Sequence, residues 1–418
     1  MKITLAHKQT GSGYRWVMLI LAALTSMTVI TLPNMSLPPM FATISRDLNL
    51  TLVEVGMVWG MVSFTGIFFA LIGGTIGDRF GARVTLSAAA FLSGLFGLTR
   101  AFAVDLPTLL LSSLAFGIFQ AGMSVMLFKI ARQWFPTEQL GMASGVISAG
   151  FAGGLMLGPL ISTSVILPAL GGWRQVLIFY GVLAIIISLC WLILHPVEKR
   201  ASGGTHAPLL TSLRHVMGLK RVWVLGIGGL GVVACFQGFS GYLPTYLKAI
   251  GWAELDADRA LSAFFLTSLI AVVPMSTMSD RLRFRRGFLV FASLVLAVGV
   301  GLLSVVEGAL IVVVIALTGF VFDSFMAIVS ASVLETEGVG YVYAGTAFGF
   351  ASTIRNLGGT FSPALGNSLT TYGYNIPFLF WSAMALFGAF MFAFVLKSQQ
   401  VKAAEVPTID AAPISAGD

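Results

Sequence analysis

The chain has 418 residues, of which 57% are hydrophobic and only 10% charged, and its mean hydropathy is +0.93. Soluble domains carry about 25% charged residues, so no soluble core could hide this much apolar sequence and a lipid bilayer has to act as the solvent. The net charge of +7 is scattered over short loops instead of clustered, which is the positive-inside pattern of a membrane protein and excludes nucleic acid as the partner.

In chain order, Lys2, Lys8 and Arg15 precede a long apolar run. No small-residue cleavage site follows a short apolar core, so this run reads as an uncleaved first helix. Twelve apolar runs are predicted to span the membrane: Trp16–Thr43, Leu52–Ile76, Val84–Ala103, Pro107–Ala131, Leu140–Leu167, Val176–Leu194, Val222–Leu247, Ala260–Met278, Gly287–Val306, Ala309–Leu334, Ala344–Leu369 and Pro377–Leu396. The polar stretch with Pro196, Gly203, Gly204 and Pro208 divides them into two bundles, 1–195 and 221–397, joined by a linker at 196–220. The tail, 398–418, is polar with Ala and Pro and is expected to be disordered. With both termini inside, most Lys and Arg fall on the cytoplasmic side, while Arg46, Arg100, Arg174, Lys248 and Arg259 stay outside. Only Arg355 is left over, inside a helix. Cys190 and Cys235 lie in apolar runs and read as small core residues, not a disulfide.

An internal repeat relates the two halves. Gly145, Gly154, Gly158 and Pro159 in span 5 recur as Gly349, Gly358, Ser362 and Pro363 in span 11, at an offset of 204 residues. The turn GGTIGDRFGAR, Gly73–Arg83, is echoed by Ser279, Asp280, Arg281, Arg283 and Arg285, without a counterpart of Gly81. Glycines in the first turn let helix ends approach, and Gly81 can take a backbone shape that a side chain resists.

Gly74, Gly77, Asp78, Arg79, Gly81 and Arg83 resemble the signature loop between helices 2 and 3 of the major facilitator superfamily. The stretches WFPTEQLGMASG and GGWRQVLIFYG are similar to sequence of the same superfamily. The resemblance covers spans 1 to 12. It implies an all-α membrane protein of twelve transmembrane helices in two pseudo-symmetric six-helix bundles, with alternating access between them. It implies that the signature loops are latches, with Arg132 and Glu138 as partners of Asp78, and Asp280 and Arg281 in the second copy. A partly buried contact of this kind is worth about 1–3 kcal/mol, the right scale for a switch between two states.

Two charges lie deep in spans, where charge is costly and usually functional. Asp323 is near the middle of span 10 and Arg355 near the middle of span 11, each about 18 Å from a helix end at 1.5 Å per residue. One reading is a structural ion pair. The sharper one is an arginine that grips a carboxylate, beside an acid that takes up a coupling proton. The context RNLGG, with Asn356, resembles span 11 of organic-acid branches of the superfamily. Asn34, between Pro33 and Pro38–Pro39 where the helix is expected to break, and Gln120, Gln237 and Tyr242 complete the expected substrate-binding set. Helices 1, 4, 7 and 10 line the cavity in the family, which favours Asn34, Gln120, Gln237 and Asp323.

The function expected is secondary transport of a small organic anion, coupled to protons, by a monomer in the inner (plasma) membrane. A proton-coupled exporter of drugs or metabolites is the alternative within transport. Glycines of span 5 resemble an antiporter motif, but Ser162 and Thr163 replace its last glycines and span 4 lacks the exporters' arginine. A substrate-sensing receptor on a transporter fold is the alternative from another class. HExxH and GxSxG motifs are absent, so an enzyme is not expected. His7, His195, His206 and His215 lie outside the span centres, so neither metal nor cofactor is expected. No Walker motif points to ATP.

Overall fold

The computed structural model describes residues 13–136, 139–196, 209–282 and 284–396. They form helices throughout, arranged as twelve columns. Helix 1 comprises Tyr14–Thr25, a π-helical stretch Ser26–Thr31, Leu32–Met35 and Leu37–Leu48; helix 2 is Leu52–Phe80 and helix 3 is Ala82–Thr99. Helix 4 comprises Leu106–Gln120 and Met123–Trp134; helix 5 begins as Leu140–Ile161; helix 6 is Trp173–Leu194. Helix 7 is Lys220–Ala249, helix 8 is Glu254–Leu282 and helix 9 is Arg285–Leu302. Helix 10 comprises Leu310–Gly319 and Phe322–Leu334, helix 11 is Gly340–Ser368 and helix 12 begins as Ile376–Phe390. Among the described residues, 10 columns are long and apolar enough to cross a membrane; helices 4 and 11 complete the expected twelve. Large apolar side chains such as Leu111, Ile193, Val273 and Phe394 stay on the surface, where lipid replaces water as their partner.

The predicted repeat appears as repeated packing. Helix 5 lies on helix 1 and helix 11 on helix 7; helix 3 lies on helix 6 and helix 9 on helix 12. The halves meet through helix 2 on helix 11 and helix 5 on helix 8. Glycine makes the equivalent contacts possible: a Cβ on Gly154 would fall 2.9 Å from the Met27 carbonyl oxygen, and one on Gly358 would fall 2.4 Å from that of Leu230. Thus Gly154 and Gly158 serve close packing on helix 1, whereas a Cβ on Gly145 would meet nothing within 4 Å.

The structure revises several boundaries. The signature turn is one residue long, because helix 2 continues through Gly74, Gly77, Asp78 and Arg79 to Phe80 and helix 3 starts at Ala82. Gly81 alone turns the chain, with φ +81°, a region that suits glycine. Helices 4 and 10 are interrupted at equivalent places, after Gln120 and after Gly319. Asp323 therefore sits in the first turn of Phe322–Leu334 and not in mid-helix. The linker contains a helix, Leu209–Met217, whose His215 ring stacks on Tyr343 at 4.2 Å. Arg100, expected on the outer side, is buried in the protein: it is 1% exposed, its guanidinium 3.9 Å from the Phe116 ring centre.

Candidate substrate site and the contacts between the halves

Pro33 has no N–H, so the Val29 carbonyl loses its helical donor. Gln120 supplies the replacement: its Nε2 donates to Val29 O at 3.0 Å and to Ile30 O at 3.1 Å. Asn34 Nδ2 donates to Gln120 Oε1 at 2.7 Å. The structure thus joins two predicted residues into one polar node where helix 1 is broken, with Asn34 Oδ1 buried and unpartnered.

Arg355 projects from helix 11 beside helix 7. Gly229 makes room for it, since a Cβ there would fall 2.7 Å from Arg355 Cδ. The guanidinium is buried, 4% exposed; Nη2 donates to Ser352 Oγ at 2.7 Å, Nη1 has no partner, and Phe348 lies 5.6 Å below it. Among the described residues no carboxylate forms an ion pair with Arg355. Asp323 is held elsewhere: its backbone N–H donates to Ser268 Oγ on helix 8 at 3.0 Å. The structural ion pair between Asp323 and Arg355 is therefore not formed. Ser352 and Gly229 were missed by sequence reasoning, although Ser352 lies three residues from Arg355 and so on the same helix face.

The other predicted residues sit at seams. Gln237 reaches across the halves, donating from Nε2 to Trp59 O at 3.5 Å, while Trp59 Nε1 donates to Gln237 O at 2.7 Å. Asn356 lies against Gly66 of helix 2. Tyr242 turns to helix 12, where it packs on Phe378 and Trp381 and donates to Tyr374 O at 2.9 Å.

Among the described residues, contacts between the halves cluster toward the end away from Tyr14 and Leu396, called here the far end. Asn367 Nδ2 donates to Leu52 O at 2.7 Å, and Lys248 Nζ to Pro39 O at 2.8 Å. Farther down the same seam, Thr353 Oγ1 donates to Ile67 O at 3.0 Å. Backbones touch where glycines allow it: a Cβ on Gly60 would fall 2.2 Å from Thr360 O, and one on Gly56 2.7 Å from Ala364 N. Toward the near end, a Cβ on Gly141, Gly145 or Gly345 would meet nothing within 4 Å. The halves are closed together at the far end.

Of the predicted latch, Gly81 and Arg83 are defined through their contacts. Arg83 Nε donates to Leu192 O at 2.9 Å, so it ties helix 3 to helix 6 inside the first half. Arg132 is exposed in the last turn of Met123–Trp134 and Arg281 is exposed on helix 8. Glu138 lies outside the described residues, as do the side chains of Asp78, Arg79 and Asp280. In the second half, Arg285 pairs with Glu335 at 2.7 Å, joining the start of helix 9 to the end of helix 10.

Two six-helix halves related by repeated helix 1–5 and 7–11 packing are matched by a family model covering residues 16–258 and 248–416. The chain belongs to the Major Facilitator Superfamily. Among relatives of this facilitator, "Probable sulfoacetate transporter SauU" of Cupriavidus necator is 24% identical over 87% of this chain and 91% of its own length. The "Hexuronate transporter" of Bacillus subtilis is 24% identical over 83% of this chain and 86% of its own. A solved bacterial homologue of the human lysosomal transporter Spinster, inward-facing and unoccupied, superposes with a TM-score of 0.76 at 13% identity, covering 92% of this chain and 97% of that one. That likeness concerns the fold. The facilitator is a membrane-embedded, multi-span transporter.

Proposed function

We propose that this facilitator carries a small organic anion, a carboxylate or sulfonate, and that Arg355 binds its acidic group. The observation that carries the reading is the Arg355 guanidinium, buried between helices 7 and 11 with one unpartnered nitrogen and, among the described residues, no carboxylate paired with it. A buried charge needs compensation, and an anionic cargo supplies it in the loaded state. Relatives named for sulfoacetate and hexuronate, both anions, support this class. Arg355 is nearly covered in the present closed arrangement, so the anion reaches it when helix 11 moves against helix 2.

The node of Asn34 and Gln120 is the partner surface on the first half: its amide donors are taken up within the node, and Asn34 Oδ1 offers an acceptor to a hydroxyl of the cargo. Asn356 and Gln237 act at the seam, and Asp323 is the acceptor of a coupling proton. The glycine-rich loop from Gly74 to Arg83 serves as a conformational latch, with its copy at Asp280 and Arg281. The protein works as a monomer in the inner membrane, with both termini cytoplasmic and with bundles at 1–195 and 221–397.

The test is counterflow in liposomes with purified protein and a panel of labelled carboxylates and sulfonates, with and without a pH gradient. Saturable anion exchange that Arg355→Gln abolishes is the expected result. Full exchange in a folded Arg355→Gln variant would overturn the anion site, and binding without flux would favour a sensor.

A further inference from the structure

We propose that Asp258 and Lys248 form a proton-operated gate at the far end, separate from Arg355 and Asp323. The two residues belong to the same half, on helices 8 and 7, and their Oδ1 and Nζ lie 2.9 Å apart. Lys248 also holds the opposite half. Lys248 Nζ donates to the Pro39 carbonyl of helix 1 at 2.8 Å. Thr163, in the π-helical extension of helix 5, lies beside the Asp258 carboxylate, its hydroxyl donating to Pro159 O at 3.0 Å. Asp258 is 1% exposed although it lies one turn from the helix start.

The charges explain the coupling. While Asp258 is ionised, its carboxylate pairs with the Lys248 ammonium, which also donates to the Pro39 carbonyl. A proton from the far-side solution adds to the carboxylate and forms an O–H bond. Lys248 keeps its own proton and loses its counter-charge. Its ammonium, side chain 16% exposed, is then better served by water, which it reaches when helices 1 and 5 separate from helices 7 and 8. The Lys248–Pro39 bond across the seam breaks in that movement. The charged groups around the pair are Glu254 and the exposed Asp256–Arg259 pair on helix 8. Helix 1 presents the Pro39 carbonyl and helix 5 the Thr163 hydroxyl. The proposal rests on alternating access and is independent of what is carried.

The experiment uses the full chain in nanodiscs, with Cys190→Ser and Cys235→Ala, and spin labels on cysteines at the exposed positions Val104 and Val305. Distances across the far end are measured by pulsed electron resonance at about pH 7.5 and about pH 5. The parent is expected to show a short distance that gives way to a longer one in acid. Asp258→Asn, and the charge-free pair Lys248→Met with Asp258→Asn, are expected to show the longer distance at both pH values. The pair leaves no buried charge uncompensated, and its melting transition reports folding. An acid response surviving in folded Asp258→Asn protein would overturn the proposal. So would its loss in Asp323→Asn, which would assign the response to Asp323. Failure of Arg355 in the flux assay leaves these outcomes unchanged.

Discussion

Trp59 and Gln237 bond each other in both directions across the two halves: the indole donates to the Gln237 carbonyl at 2.7 Å, and the Gln237 amide to the Trp59 carbonyl at 3.5 Å. Neither group needs a charge, and both carbonyls lie on membrane helices. Trp59→Phe removes the shorter bond and keeps the bulk of the ring. A neutral bond is worth about 1 kcal/mol, so closure at the far end should weaken about fivefold. Far-end distances from spin labels check this, and an unchanged population would assign closure to the backbone contacts alone.

Those backbone contacts give a sharper test. Gly60→Val places a side chain against the Thr360 carbonyl, where a Cβ already stands at 2.2 Å. The far end should no longer close, and flux should fall at least tenfold while the melting transition persists. Gly145→Ala meets open space and should leave flux within about twofold. Equal effects from the two variants would show that the seam is not part of the cycle.

Arg355→Lys keeps a charge but loses the planar fork. Anion affinity should drop about tenfold or more, and Gly229→Ala, which pushes on Arg355 Cδ at 2.7 Å, should act in the same direction. Isothermal titration with the best anion from the flux panel reads both. Affinity unchanged in Gly229→Ala would place the anion away from helix 7.

On the latch proposed for the signature loop, Asp78→Asn should leave substrate binding intact and slow turnover. Binding and flux measured on one preparation separate these outcomes. A loss of affinity with normal turnover would contradict a latch.

Asp47 accepts from Arg174 and from Trp173, the latter at 3.1 Å, and the Arg174 bond is the main cause holding its carboxyl below the usual 3.8. A carboxyl whose folded pKa is depressed adds stability above the unfolded value and loses it as pH falls through the folded one. Asp47→Asn should therefore melt slightly below the parent at neutral pH, and the difference should fade as pH falls below about 4. A difference that persists in acid would rule out the carboxylate charge as its source. The pair is exposed, so the effect is small.

Much of this protein was legible in the chain because the signals are local. Hydropathy over some twenty residues marks a span, and glycine marks a turn at Gly81 whatever its surroundings. The 204-residue offset of Gly154 and Gly358 announced two like halves, and both glycines do face the equivalent helix. Depth along a helix also follows from counting, which brought Arg355 and Asp323 forward. Direction around the helix axis and the choice of partner do not. They depend on which faces meet after the helices pack. Only the tertiary structure could leave Arg355 without Asp323, bury Arg100 on Phe116, spend Gln120 on the carbonyls freed by Pro33, and bring Lys248 of helix 7 to Pro39 of helix 1. A linear pattern sets how much each of these groups costs to bury; the packed faces decide what compensates it.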